Sequence, residues 1–160
     1  MSTLSRRDRL PDPHAWVEAA PFAAHLARLA ASTGFPVAWI AVHVGLPVTL
    51  AARLLGEDDG RPVRRLPRHF AARLLALDAE ALGLAARVSV PAARTAQHLA
   101  ELRGRGGDLR ALAAQLGTTP SLLDAAADGE IHFVPQPWLW AAVAASALWD
   151  ARVLAAVRAA

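Results

Sequence analysis

The sequence predicts an all-helical fold: two tandem units packed as one bundle, each built around a pair of short helices joined by a glycine turn, with a long C-terminal helix. Three observations point to it. Ala makes up about a quarter of the 160 residues, and Ala favours helix because it loses no side-chain entropy there. Tyr is absent and the β-branched residues rarely alternate with polar ones, so a sheet-rich fold has little support. The third observation is a repeat. His25-Leu26-Ala27-Arg28-Leu29 recurs as His98-Leu99-Ala100-Glu101-Leu102. Ala41-x-x-x-Gly45 recurs as Ala113-x-x-x-Gly117, a second glycine follows in each copy (Gly56, Gly129), and Pro67 and Pro135 each precede an apolar stretch with an aromatic, Phe70 or Trp138. Four matches in one order indicate duplication.

The elements follow from their start and stop residues. Residues 1–20 are read as a tail, mobile from Met1 to Pro11, and a short helix near 13–20. The first unit spans 21–86, with helices near 21–33, 36–44, 47–55 and 67–77. The second spans 87–160, with helices near 91–104, 108–116, 120–127 and 136–158. Pro21, Pro36, Pro47, Pro67, Pro91, Pro120 and Pro135 stand where proline begins a helix, since its missing N–H costs nothing there. Asp108 and Thr119 suit N-caps. Loops are expected at 56–66, 86–90, 104–107 and 128–134.

Composition narrows the function. The pI of 11.1 overstates the basicity, because the net charge is only +3 and the chain has no Lys, Tyr or Cys to titrate between His and Arg. With no Cys, disulfide and thiol chemistry are excluded. Met1–Leu10 is polar and Arg-rich, unlike a secretory leader, and Ile131–Trp149 is broken by Pro135 and Pro137 and too weakly apolar to span a bilayer. A cytoplasmic protein is expected. The six His have no i, i+4 pair of the helical metal-site kind, and Gly104–Gly107 lacks the Gly-Lys-Ser/Thr of a phosphate loop. No nucleophile–base or paired-carboxylate arrangement can be argued, so neither an enzyme nor a cofactor is predicted.

Within each unit, two short helices that cross steeply need a small residue where their backbones meet and a turn residue that tolerates positive φ. Ala41 and Gly45 meet these needs in one copy, Ala113 and Gly117 in the other. That is helix-turn-helix spacing, although a plain helical hairpin has the same requirements. The stretch from Leu29 through Leu77, with WIAVHVGLPVTLAARLLG followed by RRLPRHFAARLLAL, resembles the small helix-turn-helix regulators of actinobacteria and their phages. The resemblance implies sequence-specific DNA binding in transcription control, with the second helix of the pair in the major groove.

On that expectation, Val48 would meet a thymine methyl, Thr49 would hydrogen-bond a base edge, and Arg53 would reach guanine or phosphate. The chain has Pro47, Val48 and Ala52 where those regulators usually place Ser, Arg or Thr. Arg61, Arg64, Arg65 and Arg68 follow directly, and guanidinium forks suit phosphate oxygens; a solvated loop balanced by Glu57, Asp58 and Asp59 is the other reading. Charge separates the units: seven Arg against four acids between 21 and 78, four Arg against six acids between 91 and 150. The second unit is therefore expected to serve assembly. Trp138, Trp140 and Trp149 on its last helix suggest either a homodimer contact or a helix packed across both units. The leading expectation is a transcriptional regulator that binds double-stranded DNA; the alternative is a protein–protein adaptor whose helix pairs have lost DNA contact.

Overall fold

A computed structural model describes residues 15–57 and 60–159. The chain is mostly helical, and among the described residues the order strand, three helices, strand, helix occurs twice. The first copy comprises β1 (Trp16–Glu18), α1 (Ala20–Thr33), α2 (Val37–Val44), α3 (Val48–Leu54), β2 (Arg65–Pro67) and α4 (Arg68–Leu75). A linking helix, α5 (Ala79–Ala86), leads to β3 (Ser89–Pro91), α6 (Ala93–Gly104), α7 (Leu109–Leu116), α8 (Pro120–Ala127), β4 (Phe133–Pro135) and α9 (Gln136–Ala159).

The two copies correspond in detail. β1 pairs antiparallel with β2 and β3 with β4 in the same register: Val17 lies opposite Leu66 as Val90 lies opposite Val134. Each ribbon is extended by bonds at matching places. Ala19 N–H donates to Arg64 O and Ala92 N–H to His132 O, while Arg68 N–H donates to Ala15 O and Gln136 N–H to Val88 O. The glycine turns match too, Gly45 at φ 72° and Gly117 at φ 64°. Each is followed by an N–H returning to the small residue of its helix, Leu46 to Ala41 O at 2.8 Å and Thr118 to Ala113 O at 2.9 Å. Ala41 and Ala113 are buried, because a larger side chain would hold the paired backbones apart.

Among the described residues, four short strands replace expected helix and loop. Trp16–Glu18 falls where a helix near 13–20 was expected, and Arg65–Pro67 and Phe133–Pro135 overlap expected loops or helix starts. Residues 1–14, which include the tail read as mobile, lie outside the described residues. A three-residue strand shows no alternation in sequence and forms only through a partner far along the chain. The helix α5 was also not expected; Asp78 caps it, its carboxylate accepting from Ala81 N–H at 2.7 Å. Asp108 and Thr119 cap α7 and α8 as expected.

The core is continuous between the copies. Leu26 and Leu99, Leu29 and Leu102, Leu66 and Val134, and Leu74 and Ala142 are buried at corresponding places. Helix α9 joins the copies, packing on α6, α7 and α8's neighbour strand β4 in its own unit and on α2 and α3 in the other. Its first half is buried on most sides, through Trp140, Ala141, Ala142, Ala144 and Ser146. The repeated histidines tie each copy together: His25 Nε2 bonds to Leu77 O at 2.9 Å beyond α4, and His98 Nδ1 pairs with Ser146 Oγ at 3.3 Å on α9. Among the described residues no helix is long and apolar enough to cross a membrane.

Candidate nucleic-acid interface

Helix α3 is only seven residues long, so its few side chains divide sharply between core and solvent. Val48, Ala51 and Leu54, spaced by three, face inward. Val48 is 6% exposed and belongs to the core. This corrects the expectation that it meets a base: the end of α3 that would enter a groove turns Val48 into the core. Thr49 and Arg53, four residues apart, remain exposed on the other face. Arg53 is partly committed, since its Nη2 donates to Arg61 O at 3.2 Å and so ties the end of α3 to the following loop.

The other arginines are held by their backbones while their side chains stay in solvent. Arg64 O accepts from Ala19, Arg65 lies in β2 opposite Glu18, and Arg68 opens α4 with its N–H bonded to Ala15 O. Arg61, Arg64, Arg65 and Arg68 are all exposed. Arg64 and Arg65 share a shallow depression with Leu54 of α3, Val63 and Glu18, which places the ribbon against the C-terminal end of α3. Among the described residues none of these arginines forms an ion pair; Asp58 and Asp59, expected as counter-charges, lie outside the described residues. The result is an edge of five exposed guanidiniums on α3, the loop and β2–α4.

Cross-strand neighbours project on the same side of a ribbon, and successive residues on opposite sides. Val17 and Leu66 take the core side of β1–β2. The outward side therefore carries Trp16, Glu18, Arg65 and Pro67, and Trp16 is 60% exposed. Sequence reasoning missed Trp16, because its neighbour Pro67 is 51 residues away and only the pairing puts it on the same side of the ribbon as Arg65.

The matching surface of the second unit differs in chemistry. His132, Phe133 and Gln136 stand where the first unit has Arg64, Arg65 and Arg68. On α8, Asp124 and Asp128 grip Arg103 of α6 at 3.3 and 2.6 Å. Hydrogen bonding to Arg103 holds the Asp128 carboxyl below its ordinary range, and the same bonds raise the Arg103 guanidinium. All three are exposed, so the pairs add little stability. Phosphate would find a neutralised, acid-rich surface there.

The three tryptophans of α9 do not form one surface. Trp140 is 2% exposed and sits between α9 and α2, with ring centroids 5.8 Å from Phe35 and 4.8 Å from His43, both edge-on. It is therefore interior, in a helix packed across both copies, and not on an outward face. Trp138 and Trp149 are half-buried along grooves between α2, α7 and α9. The exposed apolar residues of α9 lie further on, at Leu148, Val153, Leu154 and Val157. Among the described residues no group of three or more His, Asp or Glu gathers as a metal site would. No family model matches the chain, and no curated protein or solved structure matches it significantly.

Proposed function

We propose that the chain is a DNA-binding transcriptional regulator acting in the cytoplasm, with α2 and α3 as a helix-turn-helix whose second helix faces the major groove of a duplex. The observation that carries this reading is the edge of exposed arginines, Arg53, Arg61, Arg64, Arg65 and Arg68, beside α3, set against a second unit whose corresponding surface has no arginine at those ribbon positions. Backbone contacts of this kind supply affinity and register without reading sequence. Base readout falls to Thr49 and, where it leaves Arg61 O, to Arg53. Two side chains read few bases, so the reading implies affinity dominated by phosphate and modest sequence preference.

In this reading the second helix pair, α7–α8, is a diverged helix-turn-helix given over to assembly. Exposed Leu148, Val153, Leu154 and Val157 on the last turns of α9 support a homodimer contact there, with Trp149 at its margin. The experiment for the DNA edge is fluorescence anisotropy with a labelled duplex over a series of salt concentrations. Replacing Arg64 and Arg65 together with Ala should weaken binding alike on all sequences and reduce the slope of log K against log salt by about two. Unchanged affinity and slope in that variant would remove the ribbon arginines from the interface.

A further inference from the structure

We infer that the outward side of the β1–β2 ribbon is a second DNA-contacting element, with the Trp16 ring seated in the minor groove beside the duplex face met by α3. This rests on the reading of the first unit as a DNA-binding module and adds a residue and a groove to it.

Two features of the ribbon point to this occupant. The first is the aromatic itself. Trp16 is 60% exposed, on a strand whose other side is fixed to the core by Val17 against Leu66. Its position is thus set by the fold while its ring is left to solvent. The second is charge complementarity. Arg65 shares the outward side with Trp16, and Arg68 follows Pro67, the partner of Trp16, with its N–H bonded to Ala15 O; Arg64, two residues from Leu66, takes the other side of the strand. An apolar ring on the same side of the ribbon as a guanidinium matches the chemistry of a groove edge, where phosphates take the cations and the ring meets deoxyribose and base edges. Among the described residues of the ribbon, Glu18 is the one carboxylate on this side, opposite Arg65. The second copy serves as an internal contrast: the same outward side there reads Ser89, Pro91, Phe133 and Pro135, with an exposed aromatic but no guanidinium. The aromatic–arginine combination therefore belongs to the unit that carries the basic edge.

The minor groove follows from placement. The ribbon lies against the C-terminal end of α3, so a duplex that receives α3 in its major groove presents a phosphate backbone and then its minor groove to the ribbon. Minor-groove proteins combine Arg with inserted apolar side chains in this way.

The test compares Trp16→Ala, Trp16→Phe and Glu18→Gln with the unaltered protein, all as full-length chains, by anisotropy on a labelled duplex across salt concentrations. Melting temperatures confirm that each variant is folded; Trp16 is exposed enough that they should agree. Trp16→Ala should weaken binding about tenfold with an unchanged salt slope, because an apolar contact releases no counterion. Trp16→Phe should recover most of the loss, and Glu18→Gln should tighten binding severalfold by removing a like charge facing phosphate. Netropsin, which fills the minor groove, should compete with the unaltered protein more effectively than with Trp16→Ala. If the unaltered protein binds and Trp16→Ala binds equally well, the ribbon contact is overturned while the DNA reading stands. If netropsin competes equally with both, the ring is not in the minor groove. If the unaltered protein does not bind DNA at low salt, the parent reading fails and this one with it.

Discussion

Replacing Trp140 with alanine tests whether the two copies fold as one body. The ring is buried between α9 and α2, edge-on to Phe35 and His43. Truncating a buried Trp to Ala costs about 3–5 kcal/mol through lost transfer energy and the cavity left behind. Each aromatic pair contributes roughly 0.5–1.5 kcal/mol beyond its area, which places the expected loss near the upper end of that range. Domains of this kind are stable by about 5–15 kcal/mol in total, so the variant should lose a large share of its stability. Because Trp140 has no counterpart in α4, where the corresponding residue is the exposed Ala72, its loss should act on the junction between copies. Urea unfolding followed by circular dichroism and by Trp fluorescence should show an earlier and less cooperative transition, with the two signals no longer coincident. Trp138→Ala, at a half-buried position, should cost less than half as much. A loss under about 1 kcal/mol in Trp140→Ala, with coincident transitions, would refute the reasoning.

Three further outcomes are expected. Thr95 is fully buried on α6 and its hydroxyl has no hydrogen-bond partner among the described residues; Thr95→Val should raise stability by about 1 kcal/mol by removing that orphan, and a clear loss in denaturant midpoint would show that the hydroxyl is satisfied. At Gly45, φ is 72° and an added Cβ would lie 2.9 Å from Arg73 Nη1, whereas at Gly117 nothing lies within 4 Å. Gly45→Ala should therefore cost about 1–2 kcal/mol and Gly117→Ala somewhat less, an order that thermal melts can check. Stability should fall with acidity below the ordinary histidine value near 6.5. Burial lowers the pKa of His43, which shares its pocket with Arg73, and of His98, where Glu101 opposes and Arg94 reinforces the shift. Between the lowered folded values and 6.5 the unfolded chain binds more protons, so this contribution is complete above that range and lost as pH falls through it. Melting temperatures at pH 7 and pH 5 should differ less in a His43→Phe, His98→Gln double variant than in the unaltered protein.

What was legible in the sequence was local. Gly45 and Gly117, the prolines before the helices, and the caps at Asp108 and Thr119 act within a few residues, and helix boundaries from Ala20 to Ala127 fall within about two residues of expectation where helices were expected. The ribbons were not legible because β1 and β2 meet only across 47 residues or more, and three residues cannot display a period. Helix α5 was hidden by Gly83 in its middle, although its cap Asp78 was visible. For the candidate site, the arginines could be read as a cluster, since charge keeps them in solvent. The direction of Val48 could not, because seven residues of α3 leave no periodicity to show which side is core. The same limit applies to Trp140: where α9 is buried on most sides, an apolar pattern does not tell an interior ring from an outward one.

If the arginine edge beside α3 binds duplex DNA, added salt must weaken the complex. The most direct measurement is the affinity of the full-length protein for a labelled duplex as salt is raised from low concentration. Binding at low salt should weaken steeply and linearly in log–log form, with a slope reflecting about four to five phosphate contacts. Absence of binding at low salt, or an affinity indifferent to salt, would contradict DNA binding by this edge.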